Sequence, residues 1–228
     1  MRPLPFKTIV ISIFLCLLVS ACASNEPQKY ADEFYDQGMV WYEKQEYDRS
    51  IDSFTKALEM TPGDEDNYKI YFNRGKAYSK NRDYEHAIYD FTKSLEIAPK
   101  TDKKLLFSAY HERGNCWQAK SEYSNAISDY NNALSSNPRD EDAKYVYQSL
   151  GWAWLGLHDY DKSIANFSTA LGVDTKLANS YYGRGLAWYY KGDYSQSLID
   201  AKEAVYLNPN HKAYDDLVYK ARSAMKAK

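Results

Sequence analysis

Residues 71–99 read YFNRGKAYSKNRDYEHAIYDFTKSLEIAP, and the spacing within them decides the fold. Gly75 lies three residues before Tyr78, and nine residues past the glycine comes Tyr84, preceded by the acid Asp83. Ile88, Phe91 and Leu95 then follow at three-then-four spacing, which is one face of an α-helix. Pro99 closes the run, since proline cannot continue a helix. The same register recurs on both sides. Gly38, Gly114, Gly151 and Gly185 precede Trp41, Trp117, Trp154 and Trp188 by three, and Tyr47, Tyr123, Tyr160 and Tyr194 follow the glycines by nine. Each of these tyrosines has an acid before it (Glu46, Glu122, Asp159, Asp193), placed where a second helix would begin and its dipole favours negative charge. Apolar faces continue through Ile51, Phe54 and Leu58; Ile127, Tyr130 and Leu134; Ile164, Phe167 and Leu171; and Leu198, Ala201 and Val205. Pro62, Pro138 and Pro209 mark further helix ends, and Thr175 stands there in the fourth copy. Each copy therefore predicts two antiparallel helices joined by a turn of about three residues.

Composition agrees with a repeat. The 228 residues include 23 tyrosines, a surplus expected when a few structural positions are refilled again and again. With 44% hydrophobic and 26% charged residues, the chain is too apolar for a disordered one and long enough to bury a core. The formal charge is −2; without residues 1–21, which carry Arg2 and Lys7, 27 basic residues face 31 acidic ones. Nucleic-acid binding, which needs a concentrated basic surface, is disfavoured. Three cysteines (Cys16, Cys22, Cys116) provide no disulfide framework, and Cys116 reads as a small packed thiol. His86, His111, His158 and His211 are scattered, with no metal-ligand spacing and no glycine-rich phosphate loop. His111 is placed to line a groove, but a lone histidine is a poor catalyst. No enzyme, metal or cofactor is expected.

The pattern resembles the tetratricopeptide repeat. Its alternation of aromatic, glycine, aromatic, small, aromatic, small and proline is matched by Phe34, Gly38, Trp41, Ser50, Phe54, Ala57 and Pro62, and by Tyr71, Gly75, Tyr78, Ala87, Phe91, Ser94 and Pro99. Tyr110, Gly114, Trp117, Ala126, Tyr130, Ala133 and Pro138 repeat it, as do Tyr147, Leu150, Gly151, Trp154, Ser163, Phe167 and Ala170, and then Tyr181, Gly185, Trp188, Ser197, Ala204 and Pro209. The resemblance implies an all-α, right-handed superhelical solenoid of five hairpins over residues 31–211, divided at about 31–64, 68–101, 107–140, 144–177 and 178–211. A capping helix and tail at 212–228 would cover the last repeat, because a solenoid leaves its end open. In that segment Ala213, Leu217, Val218, Ala221 and Met225 recur at helical spacing. Ala201, where the other copies have Phe or Tyr, would make room for it.

Two departures carry expectations. Arg74, Arg113 and Arg184 stand where the family has leucine, and their stems are expected on the core with the charged heads in solvent. The glycine-to-glycine intervals are 37, 39, 37 and 34, so extra residues fall around Glu65 to Asn67, Asp102 to Leu106 and Glu141 to Ala143. They either lengthen the following first helix or loosen the loop.

The N-terminus reads as an export signal. Arg2 and Lys7 precede the uncharged run Thr8–Ala21, TIVISIFLCLLVSA, which has the dimensions of a signal peptide rather than of a spanning helix. Val19-Ser20-Ala21-Cys22 resembles the bacterial lipobox, which implies cleavage after residue 21 and a covalent lipid on Cys22. Ala23 after the cysteine implies an outer-membrane anchor on the periplasmic face, or the plasma membrane in a Gram-positive source. Residues 22–30 read as a short lipidated tether, polar and carrying Pro27.

For such a solenoid the family implies a concave face lined by first helices. Its contact positions fall on Lys69, Phe72, Asn73, Lys76 and Lys80, on Ser108, His111, Glu112, Asn115 and Gln118, and on Tyr145, Gln148, Trp152, Leu155, Asn179, Tyr182, Leu186, Tyr189 and Tyr190. The groove would be polar in its middle and aromatic toward the C-terminus. Trp152, Tyr182 and Tyr189 are candidate anchors for an apolar segment of a protein partner, with the lysines steering an acidic flank. Alternatively, these aromatics pack between first helices or beneath the terminal helix. Tyr35 and Met39 occupy the first two positions of the family's carboxylate clamp, so chaperone-tail binding is not implied. The expected function is a non-catalytic protein- or peptide-binding adaptor of the bacterial envelope. Capture of a small envelope ligand, or homo-oligomerisation, are the alternatives.

Overall fold

A computed structural model describes residues 26–136 and 140–227. The expected signal peptide 1–21, the lipidation site Cys22 and the helix stop Pro138 lie outside them. Eleven α-helices run through the described residues: α1 over 26–43, α2 (Tyr47–Met60), α3 (Tyr68–Lys80), α4 (Tyr84–Ile97), α5 (Lys103–Ala119), α6 (Tyr123–Ser135), α7 (Asp140–Gly156), α8 (Tyr160–Val173), α9 (Ala178–Lys191), α10 (Tyr194–Leu207) and α11 (Lys212–Lys226). They form five hairpins and a cap, an all-α solenoid in which packing joins only near neighbours in sequence. Odd-numbered helices also touch the next odd-numbered helix, from α3 to α11, so the first helices line one continuous face.

One contact repeats through the stack. Residues Phe54, Phe91, Tyr130 and Phe167 are fully buried, and each presses its ring on the glycine of its own hairpin's first helix. A Cβ added at Gly38, Gly75, Gly114 or Gly151 would lie 2.7, 3.0, 2.6 or 2.7 Å from that ring. Each ring contributes about 1.5–3 kcal/mol through burial. In the fifth hairpin the aromatic is missing, and Leu217 of α11 takes its place, 3.2 Å from the corresponding point at Gly185. Ala201 thus makes room for the cap, as its size suggests. The cap buries Tyr214 with Leu217 and Ala221, whereas Met225 stays 44% exposed. The helical spacing in the sequence singled out Met225 but passed over Tyr214.

Local chemistry sets the boundaries. Asp83, Asp159 and Asp193 are N-caps whose carboxylates accept from the backbone N–H of His86, Lys162 and Gln196. Glu46 and Glu122 hold the same position without a side-chain cap bond. The residue before each cap is left-handed: Gln45, Arg82, Ser121 and His158 at φ 61 to 63°, and Gly192 at φ 87°. Both readings of the longer junctions occur. Glu65–Asn67 forms a separate 3-10 turn, whereas α5 and α7 absorb their extra residues and reach 17 residues against 13 in α3.

Two expectations are corrected. The tether was expected to run to residue 30, but the chain is helical from 26, with Pro27 tolerated in the first turn, where no intrahelical N–H is needed. The arginine heads do not lie in solvent. The Arg74, Arg113 and Arg184 guanidiniums each donate two hydrogen bonds of 2.7 to 2.9 Å to the carboxylates of Asp90, Asp129 and Asp200, sixteen residues on. Their remaining nitrogens reach back to Thr55, Thr92 and Ser168 in the preceding hairpin at 2.9 to 3.0 Å. The reason is geometric: a bidentate, hydrogen-bonded carboxylate compensates the guanidinium for lost water, and the planar fork can bind three helices at once.

Candidate binding groove

The face lined by α3, α5, α7 and α9 divides into a basic section, an amide-rich middle and an aromatic end. On α3, residues 69, 73, 76 and 80 share one stripe of the helix. Lys69 and Lys80 are exposed. Asn73 donates through Nδ2 to the Tyr35 hydroxyl of α1 and to the Lys69 carbonyl, both at 3.0 Å. The Lys76 ammonium sits over the Tyr42 and Phe72 rings, 4.9 and 5.7 Å from their centroids, so its position is held by cation–π attraction. Phe72 is half-buried, with its ring 5.9 Å from that of Phe91, and belongs to the core as much as to the groove.

In the middle, α5 contributes Ser108, Glu112, Asn115 and Gln118. The Tyr130 hydroxyl reaches the Asn115 and Gln118 side-chain carbonyls at 2.9 and 3.1 Å, and burial pushes its pKa well up, so it remains a donor. His111 does not line the groove openly. It is tucked between Phe107 and Tyr130, with Nε2 3.2 Å from the Ser149 hydroxyl of α7, and burial pushes its imidazole below the ordinary 6.5 against the opposing pull of Glu112. Cys116 is fully buried and donates to the Ser79 hydroxyl at 3.5 Å; burial pushes its thiol up to about 11, which makes it inert at neutral pH.

The aromatic end holds two separate runs of rings. One passes from Phe167 through Trp152 and Tyr182 to Tyr214 and His211, with centroid separations of 5.2, 6.0, 4.9 and 3.9 Å. Trp152 and Tyr182 are brought together there, and Tyr182 lies against the cap. The other joins Tyr160 to Tyr190, Tyr190 to Tyr189 and Tyr189 to Tyr194. Tyr190 is 58% exposed and Tyr145 50% exposed, whereas Trp152, Tyr182, Leu186 and Tyr189 are half-buried. A cavity of about 320 Å³ opens beside the first run, lined by Tyr145, Gln148, Lys176, Asn179, His211 and Tyr214 among others. Its amides are oriented: the Gln148 carbonyl accepts from Ser180 at 2.8 Å, and the Asn179 carbonyl accepts from the Tyr214 hydroxyl.

Single-residue reading missed the arginine staples and the fixed amides. The staples carry a signal: arginine and aspartate sixteen residues apart in three copies, both replaced together where Asn166 follows Leu150 and Ser53 follows Gln37 at the same spacing. For Gln148 and Asn179 there is none, because their partners come from the next repeat and from the cap.

The family model for the tetratricopeptide repeat matches residues 68–101. No curated protein matches the chain significantly. Among solved structures, MamA is 21% identical with a TM-score of 0.67, over 82% of this chain and 96% of its own. YrrB, described as a TPR protein with an unusual peptide-binding site, is 19% identical with a TM-score of 0.67, over 87% and 95%. A tetratricopeptide repeat protein from Parabacteroides merdae is 18% identical with a TM-score of 0.70, over 87% and 78%. Identities this low establish a shared fold.

Proposed function

Taking the tetratricopeptide-repeat fold of this chain as premise, we propose that it is a non-catalytic adaptor that binds an extended segment of a partner protein along its concave face. The observation that carries this reading is the unbroken face of first helices, with exposed rings at one end and side-chain amides held by hydrogen bonds along its middle. Such repeats stack to present a surface, not to assemble a reacting centre. Tyr145 and Tyr190 are the anchors within reach of a partner, and Trp152 and Tyr182 form the wall behind. YrrB's description as a peptide-binding TPR protein is consistent with this use of the fold.

The lipobox ending at Cys22 adds a location: export, cleavage after Ala21 and a lipid on Cys22 that tethers the adaptor to the bacterial envelope, at the periplasmic face of the outer membrane. Helix from residue 26 leaves only a few residues between the lipid and α1. The test is photo-crosslinking in the native host with a reactive residue at Tyr145, compared with Asp52 on a second helix. A discrete protein adduct from Tyr145 alone supports the adaptor. Adducts from Asp52 alone move the binding face to the other side. A self-adduct makes oligomerisation the function, and a small-molecule adduct favours ligand capture.

A further inference from the structure

The outward faces of the second helices are not alike. Counted from each hairpin's glycine, the positions 14, 18 and 21 residues on share the stripe that points away from the first helices. They hold Asp52, Lys56 and Glu59 on α2, and Tyr89, Lys93 and Glu96 on α4, where Lys93 pairs with Glu96 at 2.8 Å and its ammonium stands 5.8 Å from the Tyr89 ring. On α6 and α8 the charge is gone: Ser128, Asn132 and Ser135, then Ala165, Thr169 and Gly172, are all exposed. On α10 the stripe carries Ile199, Glu203 and Tyr206, with Ile199 59% and Tyr206 78% exposed. A solvated helix face keeps its charges, as α2 and α4 do. Loss of charge together with protruding aliphatic and aromatic groups is the composition of a protein interface.

This surface is also complementary to itself. Ile199 and Tyr206 stand out from α10, whereas Ala165 and Gly172 leave α8 low, and a Cβ added at Gly172 would meet nothing within 4 Å. Equal offsets from the glycines mean equal heights along parallel helices. A two-fold axis running along the helices between α8 and α10 therefore lays α10 of one copy over α8 of the other, with Ile199 opposite Ala165 and Tyr206 opposite Gly172, each pair made twice. The two pairs are about 10 Å apart at the helical rise. Glu203 comes to the height of Thr169, whose hydroxyl already donates to the Ala165 carbonyl at 3.0 Å, so Glu203 is the residue that this contact accommodates least. A foreign partner would need knobs or hollows; knobs beside hollows at matching heights are what a second copy needs.

We propose that two copies of this chain pack back to back through α8 and α10 as an isologous dimer. The contact goes beyond the adaptor reading and does not depend on it. The two concave faces point away from each other, so both grooves stay open and a partner with two binding segments is held by both at once. Rotation about an axis along the helices also leaves every residue at its own height. The two α1 N-termini, at the edge away from the hairpin turns, thus lie at the same end of the dimer. With the lipid proposed at Cys22, both chains enter one membrane without strain on either tether.

The test is disulfide trapping in membranes of the native host, with the full chain carrying Ala165→Cys co-expressed with a differently tagged full chain carrying Ile199→Cys. Mild oxidation yields a mixed dimer of the two tags, and either variant expressed alone yields none, because the axis keeps equal positions apart. Cys116 is buried and does not compete, and the parent chain oxidised in the same way sets the background. Tyr206→Asp in both chains lowers the yield about tenfold, and Glu203→Gln raises it by removing a desolvated charge. Absence of the mixed dimer overturns the proposal; a maleimide crosslinker that then joins the Ile199→Cys chain to another protein assigns the patch to that protein instead. Equal yields from the single variants, or a yield untouched by Tyr206→Asp, mean chance collision in the membrane and overturn it too. The Tyr145 crosslinker, on the opposite face, reports on the adaptor reading separately.

Discussion

The junction between the third and fourth hairpins differs from those on either side of it. Where hairpins two, three and five dock on their predecessors, a buried arginine joins an aspartate of its own hairpin to a threonine or serine of the previous one. In the fourth hairpin the arginine position holds Leu150, 3% exposed, inside a cluster with Ile127, Tyr130, Val146 and Ala153. Asn166 stands where the aspartate would be, and its Nδ2 donates to the Lys162 carbonyl of its own helix. One position in one fold is thus filled by two chemistries. An apolar contact is tolerant and non-directional, whereas a guanidinium fork fixes the angle between three helices but is sensitive to the loss of any partner.

The largest effect expected is from breaking a staple on one side. Asp90→Ala leaves the Arg74 guanidinium, 14% exposed, with a threonine alone, and should cost about 3–5 kcal/mol by urea unfolding. Leu150→Ala at the apolar junction should cost about 2–5 kcal/mol through its cavity. If Asp90→Ala cost under about 1 kcal/mol, Arg74 would be turning out to water, and the staple would be ornamental.

A second experiment exchanges the two chemistries. Leu150→Arg alone buries an unpaired charge and should destabilise by several kcal/mol, and adding Asn166→Asp should recover about 2 kcal/mol or more of that loss. The reverse pair, Arg113→Leu with Asp129→Asn, should fall within about 1 kcal/mol of the parent, because a packed leucine replaces a desolvated ion pair at little net cost. Absence of coupling in both cycles would mean that the sixteen-residue spacing is accidental.

That spacing also shows what the sequence could disclose. Five hairpins, their turns and the cap were legible because each depends on residues a few positions apart, such as Gly75 with Tyr78 or Asp83 with Tyr84. The staples were hidden from a reading one residue at a time, since arginine at a leucine position has two physical solutions, snorkelling or pairing. The choice depends on an aspartate one helix away. The groove was legible only as a set of positions. That Tyr182 would lie against Tyr214, or that Ser180 would orient Gln148, depends on how α7, α9 and α11 meet, which local spacing does not encode.

Acid should separate the two kinds of junction. His111, between α5 and α7, belongs to the apolar junction, and burial holds its imidazole below 6.5. The unfolded chain therefore binds a proton more readily than the native one, so stability should decline as pH falls below about 6.5, and continue to decline until the native imidazole also titrates. His111→Gln, whose amide can pair with Ser149 as donor or as acceptor, should abolish this part of the pH dependence in unfolding curves from pH 7 to pH 5. An unchanged dependence would place its source elsewhere.

The smallest effect is at the hairpin turns, which should be indifferent to junction chemistry. Ser121 holds φ 62° where Gly192 holds φ 87°, and the left-handed conformation costs an L-residue about 1–2 kcal/mol. Glycine returns part of that gain through its larger entropy loss, so Ser121→Gly should stabilise by under about 1 kcal/mol. Arg82→Gly should match it, since both turns lie in stapled hairpins. His158→Gly, in the apolar hairpin, should gain less, because His158 Nδ1 lies 3.3 Å from the Tyr160 hydroxyl and that contact would be lost. The shortfall should vanish in a Tyr160→Ala background, where the hydroxyl and the ring that His158 meets edge-on at 6.1 Å are both gone. If His158→Gly still lags there, the turn is coupled to the junction behind it, and the hairpins cannot be treated as interchangeable units with only their docking chemistry changed.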